Sequence, residues 1–239
     1  MTGSFVQGLD QEFDPDYYSS LRAKNISQAH NKAQEQKLKN AVALWEKSAH
    51  SEHTRFTMDD EDFLKNIKKL TTPVGQDALN DFFANPQGFL ILQGDTGLGK
   101  TSLAVALGTY LIQLGDVSSG ELVMGASMLD SFSQYNPFSK DRQVNPVEHY
   151  SQLDLLVIDD IGMGNERITD VQEQRLSTVI DNRWGNNKVT IMTTNMGIHG
   201  KKGEGIGLSN YFTKSTWDRI LGSMYHVNFS GQSLRTSTL

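Results

Sequence analysis

Residues 94–101 read Gly-Asp-Thr-Gly-Leu-Gly-Lys-Thr, which matches the phosphate-binding loop pattern G-x-x-x-x-G-K-[ST]. The run before the loop, Gly88-Phe-Leu-Ile-Leu-Gln93, is mostly apolar, as in a strand buried within a parallel sheet. After the loop, residues 101–114 carry apolar side chains at helical spacing. A strand, a glycine-rich loop and a helix in this order predict a nucleotide-binding α/β domain.

The residue types of the loop explain how it would hold a phosphate. Glycines let backbone amides turn inward, and the N-terminus of the following helix adds partial positive charge. Lys100 would bring a positive charge to the outer phosphates, and the Thr101 hydroxyl would ligate Mg²⁺. We therefore predict that ATP and Mg²⁺ bind here. The predicted nucleotide-binding residues are Gly94, Asp95, Thr96, Gly97, Leu98, Gly99, Lys100, Thr101 and Ser102.

The composition is typical of a water-soluble ATPase. The chain has 239 residues, a formal net charge of −6 and no cysteine. A chain of this length can bury one core plus a small appendage. It has no signal-peptide pattern and no apolar run near the ~20 residues of a membrane span. We therefore expect a cytoplasmic protein without a membrane partner. Its contacts with DNA should be local, or shared among several subunits, because an acidic chain does not attract nucleic acid in bulk.

A second motif lies downstream, where Leu153-Asp-Leu-Leu-Val-Ile158 is followed by Asp159-Asp160. The apolar run predicts a buried strand, and acidic residues at the carboxyl end of a parallel strand face the ligand crevice of an α/β sheet. We assign Asp159 to Mg²⁺, as the Walker B acid, and Asp160 to the carboxylate that polarises the attacking water. The alternative is that the two acids only begin a turn.

Three further side chains are candidates for γ-phosphate chemistry. Asn195 follows a predicted strand at Val189–Thr193, which comes after a helical stretch at residues 171–184. Its amide could hold the attacking water. Arg219 and Arg235 carry guanidinium groups, which stabilise the charge that spreads over the γ-phosphate oxygens during transfer. For a lone arginine, a surface salt bridge is the usual alternative.

The order of these motifs resembles the AAA+ bacterial replicative-helicase loaders of the DnaC/DnaI type, in the DnaC/IstB-like ATPase family. The resemblance runs from about residue 55 to Arg235, where the spacing Phe-x-x-x-Ser-x-Arg is distinctive. It implies that Asn195 is sensor 1, that Arg219 is an arginine finger for a neighbouring subunit's ATP, and that Arg235 is sensor 2. It also implies the fold class: an α/β P-loop AAA+ core with a mostly parallel sheet flanked by helices, and no C-terminal lid domain.

One departure from the family pattern concerns Asp160, because many AAA+ enzymes have glutamate at this place. The carboxylate of aspartate is about one methylene shorter, and proton transfer depends closely on geometry. We therefore expect an ATPase whose hydrolysis is slow and is stimulated by partners or by single-stranded DNA.

The first 53 residues form a separate helical segment in this interpretation, and residues 54–239 form the AAA+ ATPase domain. Leu38, Val42 and Trp45 fall at helical spacing and form a narrow apolar stripe. One alternative is that this stripe packs on itself or on the ATPase core. The other, favoured by the resemblance, is that the helix binds the replicative helicase with Trp45 as an anchor, because aromatic residues dominate interface hot spots.

Residues 131–150 follow a predicted strand at Glu121–Met124 and mix aromatic with basic side chains. Such mixtures are typical of single-stranded DNA binding, in which bases stack on the rings. The alternative is that Phe132 and Tyr150 are core residues of a helix beside a surface loop. The predicted DNA contacts are Tyr135, Phe138, Lys140 and Arg142.

Together with the resemblance, these residues predict an ATP-dependent helicase loader. ATP-Mg²⁺ would bind between one subunit and Arg219 of the next, so that self-assembly depends on ATP. The output would be delivery of a hexameric DnaB-type helicase onto single-stranded DNA at the start of replication. Two alternatives share the same motifs: an IstB-type transposition helper that binds duplex DNA, and an ATP-binding protein that captures a helicase with little hydrolysis.

Overall fold

A five-stranded sheet in which every pairing is parallel forms the centre of the computed structural model, which describes residues 32, 34–49, 53–139, 143–162, 167–200 and 206–234. The strand order in the sheet is β2-β3-β4-β1-β5. The prediction of a parallel sheet flanked by helices is confirmed. The strands are β1 (Phe89–Gln93), β2 (Gly120–Met124), β3 (Leu155–Asp159), β4 (Val189–Thr194) and β5 (Met224–Asn228).

Helices cover both faces of the sheet, and several begin at side-chain caps. Thr169 and Gln172 form a capping box at the start of α7, and Asn145 with Pro146 begins α6. No helix within the described ranges is both long and apolar enough to cross a membrane. The helices are α1 (34–48), α2 (Glu61–Leu70), α3 (Pro73–Ala84), α4 (Lys100–Leu114), α5 (Gly125–Gln134), α6 (Pro146–Gln152), α7 (Asp170–Gly185) and α8 (Lys214–Gly222), with a 3₁₀ helix at Leu208–Tyr211.

Alternating residues of the strands fill two separate cores. Leu90 and Leu92 of β1 face the side of the sheet covered by α1 to α4. Phe89 and Ile91 face the opposite side, which is covered by α5 to α8. Because a strand with helices on both faces buries every side chain, it reads as a continuous apolar run, and this is why β1 was visible in the sequence.

Helix α1 packs on the α/β core through Trp45, whose side chain is fully buried. Trp45 Nε1 donates to Thr109 Oγ1 at 3.0 Å, and a Cβ added to Gly108 would lie 2.3 Å from the indole ring. Trp45 therefore cannot be the partner anchor that we predicted, because none of its side chain is accessible, and the packing alternative describes it correctly. Val42 is partly buried against the same core, whereas Leu38 is exposed.

The starts of three strands are joined by Asp154. Its Oδ2 accepts from the backbone nitrogen of Ser118 at 3.0 Å and from the Ser118 hydroxyl at 2.6 Å, and its Oδ1 accepts from Lys188 Nζ at 3.0 Å. These residues precede β2, β3 and β4. The cluster thus holds together the amino-terminal ends of these three strands, at the opposite end of the sheet from their carboxyl ends.

Candidate nucleotide-binding site

The phosphate-binding loop connects β1 to α4, as the sequence predicts. Gly99 precedes the helix in the left-handed conformation, with φ of 84°. Gly94 has φ of 147°, and a Cβ there would lie 2.5 Å from the carbonyl oxygen of Phe229. Both positions therefore require glycine: the first for the turn into the helix, the second for the close approach of the loop to the end of β5.

Lys100 lies at the centre of the loop and is almost completely buried. Its ammonium donates to the carbonyl oxygens of Gly94 at 2.7 Å and Asp95 at 2.8 Å, and to Asn195 Oδ1 at 2.9 Å. Asn195 in turn donates from Nδ2 to Thr96 Oγ1 at 3.1 Å. Strand β4 pairs with β1, so the structure brings Asn195 to the loop although the two are far apart in sequence.

Thr101 and Asp159, the predicted Mg²⁺ ligands, are in direct contact. The Thr101 hydroxyl donates to Asp159 Oδ1 at 2.9 Å, and Asp159 is buried at the end of β3. Within the described ranges, no group of three or more His, Cys, Asp or Glu residues could hold a metal ion. One hydroxyl and one carboxylate nevertheless suit Mg²⁺, because this ion takes oxygen ligands and is commonly bound by one or two carboxylates together with substrate phosphates.

Asp160 follows β3 in a left-handed conformation, with φ of 54°. This conformation is uncommon for a residue other than glycine, although aspartate tolerates it better than most. Asp160 lies on the wall of the cavity that the phosphate-binding loop lines. The two acids therefore do begin a turn, but the turn is part of the site.

This cavity has a volume of about 590 Å³, within the range of small-molecule sites. Its second wall comes from residues 53–66. The rings of Phe56 and Phe63 stack at 4.7 Å, and the Arg55 guanidinium lies 4.8 Å from the Phe56 ring centroid. His53 Nδ1 lies 3.0 Å from Ser102 Oγ. Flat apolar rings beside the loop can support a nucleobase, and no motif in the sequence indicated them.

The remaining loop residues take different positions in the site. Leu98 packs in the core, so only its backbone faces the loop. Thr96, Gly97 and Gly99 line the cavity. Near the C-terminus, the nitrogen of Leu234 donates to Gly97 O at 2.9 Å. Arg235, the predicted sensor 2, lies outside the described residues.

Arg219 lies on α8, away from the cavity of its own chain. Its Nη1 is 2.5 Å from Asp181 Oδ2, and its guanidinium lies 5.4 Å from the ring centroid of Trp184. The salt-bridge alternative therefore describes its contacts within the chain. The predicted action on a neighbouring subunit requires a finger outside its own site, so that role stays a prediction.

The predicted DNA-binding segment divides into core and surface residues. Phe132 and Tyr150 are buried and meet edge to face at 6.2 Å, as the core alternative proposed. Tyr135 lies beside Arg175, whose guanidinium is 5.5 Å from the ring centroid, and Phe138 is 91% exposed. Lys140 and Arg142 lie outside the described residues.

Comparison with known families decides the class of this nucleotide site. The family described as IstB-like ATP binding protein matches residues 19–238, which is most of the chain. The chain belongs to this family. The match confirms the resemblance stated from the motifs, and it also includes α1, which lies before the domain boundary that we predicted after residue 53.

Curated relatives of this IstB-like chain include replicative helicase loaders. The loader DnaC of Buchnera aphidicola subsp. Schizaphis graminum (strain Sg) is 29% identical over 147 residues, 61% of this chain and 55% of the relative. The loader DnaC of Buchnera aphidicola subsp. Baizongia pistaciae (strain Bp) is 31% identical over 127 residues, 52% of this chain and 48% of the relative. The chain thus spans about half the length of these relatives.

Solved structures place the IstB-like chain in the AAA+ fold. The crystal structure of DnaI has a TM-score of 0.55 at 20% identity, covering 76% of this chain and 94% of DnaI. The crystal structure of the DnaC helicase loader has a TM-score of 0.53 at 20% identity, covering 76% of this chain and 100% of the loader. The predicted P-loop AAA+ fold is confirmed.

Proposed function

We propose that this IstB-like protein is an ATP-dependent helicase loader, which binds a hexameric replicative helicase and delivers it onto single-stranded DNA. The observation that carries the proposal is the convergence of Lys100, Thr101 and Asn195 on one cavity, with Asp159 hydrogen-bonded to Thr101, in a chain whose curated relatives are loaders. These are the groups that bind and hydrolyse a nucleoside triphosphate.

The chain's own residues would bind the triphosphate at the N-terminus of α4. The Lys100 ammonium would exchange its carbonyl partners for phosphate oxygens, and the loop amides would point at the same group. Thr101 and Asp159 would hold Mg²⁺. When bound, this ion neutralises negative charge on the phosphates. The stacked rings of residues 56 and 63 would support the base.

Hydrolysis would depend on groups at the ends of β3 and β4. Asp160 would accept a proton from the attacking water, and the Asn195 amide would orient that water. Arg219 of a neighbouring subunit would stabilise the developing charge on the γ-phosphate. Assembly would therefore require bound ATP, and ATP hydrolysis would release the assembled subunits. Residues 135–142 would contact single-stranded DNA, and the protein would act in the cytoplasm.

The experiment for this proposal measures the mass of a complex with the cognate replicative helicase, by size-exclusion chromatography with light scattering in ATP-Mg²⁺. The proposed helicase grip lies in residues 1–53. Removing this whole segment would also remove Trp45 from the core, so the better comparison is a chain beginning at Lys32, which keeps α1. We expect the full chain to bind the helicase and the shortened chain to lose it while still binding ATP.

One result would count against the loader, and another would only move the helicase-binding surface to a different part of the N-terminal segment. If neither chain bound the helicase, the helicase would be discarded as a partner. If both chains bound it equally, residues 1–31 would have no part in the grip, and the outer face of α1, which includes Leu38, would be the remaining candidate within the N-terminal segment.

The second candidate is a transposition helper that binds duplex DNA, which the family description and the Asp159-Asp160 pair favour. A gel-shift comparison of single-stranded and duplex DNA distinguishes the two. For a loader, replacing both Tyr135 and Phe138 by alanine should weaken single-strand binding without changing ATP affinity. Val144→Ala, at another exposed apolar residue, is the matched control. Preference for duplex DNA would favour the transposition helper.

A further inference from the structure

The end of β4 holds the turn that follows Asp159 and begins at Asp160. The backbone nitrogen of Ile161 donates to Thr193 O at 3.0 Å, and Thr194 Oγ1 donates to Ile161 O at 2.8 Å. Strand β4 pairs with β3 up to Met192, so these bonds continue the contact between the two strands beyond their last paired residues. The turn after Asp159 is therefore fixed from β4.

A single hydroxyl in this arrangement contacts both acids. Thr193 Oγ1 donates to Asp159 Oδ1 at 2.7 Å and accepts from the backbone nitrogen of Asp160 at 2.8 Å. Thr193 is 1% exposed, so water does not compete for these bonds. The second bond holds the residue whose left-handed backbone aims its side chain at the cavity.

We infer that Thr193 is a positioning residue for the ATPase site, an inference that rests on the proposed function. Asp159 Oδ1 accepts from two hydroxyls, those of Thr101 and Thr193. Thr101 is itself a ligand in the proposed Mg²⁺ site, so its hydroxyl has a second task there. Thr193 has no such task, and its hydroxyl fixes the orientation of the Asp159 carboxylate. Partners of this kind orient metal-binding carboxylates and tune their affinity.

The same strand end also reaches the phosphate-binding loop. Asn195, two residues beyond Thr193, accepts from Lys100 and donates to Thr96. The segment from Thr193 to Asn195, at the end of β4 and directly after it, therefore contacts the loop lysine, the proposed metal-binding acid and the acid proposed to activate water. The hydroxyl of Thr193 is the part of this segment that acts on the two acids through side-chain hydrogen bonding.

The test replaces Thr193 by valine, which keeps the β-branched shape and removes the hydroxyl, and by serine, which keeps the hydroxyl. Thr190→Val is the matched control, because Thr190 is on the same strand, fully buried, and accepts from Arg183 Nε at 2.8 Å, away from the site. Two quantities are measured: the Mg²⁺ dependence of fluorescent ATP binding, and kcat at saturating ATP-Mg²⁺. Thermal unfolding of each variant reports its stability.

We expect Thr193→Val to weaken the apparent Mg²⁺ affinity and to lower kcat, each by roughly 10–100-fold, and Thr193→Ser to restore both to within about threefold of the wild type. Thr190→Val should lose thermal stability and keep both values. Wild-type values in Thr193→Val would overturn the inference and leave the ATPase proposal in place. Equal losses in Thr190→Val would show a merely structural effect and would also overturn it. A wild-type chain without Mg²⁺-dependent ATP binding would overturn the proposed function, and this inference with it.

Discussion

Lys100 is a buried lysine whose ammonium donates to two carbonyl oxygens of the phosphate-binding loop and to the side-chain oxygen of Asn195. Lys100→Ala removes the charge that we assign to the outer phosphates. With ATP-Mg²⁺ a hundredfold above its dissociation constant, wild-type stabilisation should be about 2.7 kcal/mol, and the variant should lose most of it. Thermal unfolding with and without ATP-Mg²⁺ measures this. Lys65→Ala, at an exposed lysine of α2, should keep the full shift. A full shift in Lys100→Ala would mean that the nucleotide binds elsewhere.

A substitution at Asp160 should separate the binding of ATP from its hydrolysis. Asp160→Asn keeps a side chain that tolerates the left-handed backbone but removes the carboxylate that would accept a proton. We expect kcat to fall by about 10²–10⁴-fold while the stabilisation by ATP-Mg²⁺ stays. Phosphate release and thermal unfolding measure the two effects, with Asp130→Asn, at an exposed acid of α5, as the control. Turnover that did not respond to Asp160→Asn or to single-stranded DNA would favour the helicase-capturing alternative.

At the level of elements, α1 belongs to the α/β core rather than to a separate partner-binding arm. Trp45→Ala removes a fully buried indole that packs on α4, and such truncations cost about 3–5 kcal/mol in the free energy of unfolding. Leu44→Ala is the matched control on the same helix, because Leu44 is 65% exposed, and it should change stability by less than about 0.5 kcal/mol. Denaturant unfolding compares the two. Equal, small effects would mean that α1 is not docked in solution.

The cluster at the strand starts predicts acid lability. Burial alone would raise the pKa of Asp154, but hydrogen bonds from Ser118 and Lys188 outweigh this effect and hold the pKa at about 2. A pKa below the unfolded value stabilises the fold at pH above about 4, and this contribution is lost as the pH falls through about 2. Asp154→Asn should therefore be less stable than the wild type at neutral pH, with the difference shrinking below about pH 4.

Urea unfolding at several pH values between 3 and 7 tests this acid dependence. Asp62→Asn is the control, because the Asp62 side chain is 93% exposed and should follow the wild-type curve. A difference in the free energy of unfolding between the wild type and Asp154→Asn that stayed constant down to pH 3 would contradict this prediction. That result would show that ionisation of Asp154 does not determine the loss of stability in acid.

Much of the sheet and half of the site were predictable because the signals are local. Buried strands read as apolar runs, so β1, β3 and β4 could be located from the sequence, and the loop pattern found Lys100. The direction in which the α1 stripe faces could not be predicted, because a helix that buries its stripe on its own core and one that offers it to a partner have the same periodicity. The wall at residues 53–66 carries no pattern, since its rings meet the loop only through the tertiary fold.

At the scale of the whole molecule, the proposed self-assembly places Arg219 at the ATP of a neighbouring subunit, so a substitution of Arg219 tests it. We expect Arg219→Ala to keep ATP binding, to lose ATP-dependent assembly, and to lower kcat by about 10³-fold or more, as the removal of an arginine finger does. Size-exclusion chromatography with light scattering, with and without ATP-Mg²⁺, measures the assembly.

The control for Arg219 follows from its contact with Asp181. Arg219→Ala also breaks that ion pair, and the Oδ1 of Asp181 is buried without a hydrogen-bond partner among the described residues. Asp181→Asn weakens the same pair while keeping the guanidinium. If assembly fails only in Arg219→Ala, the guanidinium itself meets the neighbouring subunit. If it fails equally in Asp181→Asn, the packing of α7 against α8 shapes the interface and the finger lies elsewhere. Assembly that survived in both variants would remove Arg219 from the proposed mechanism.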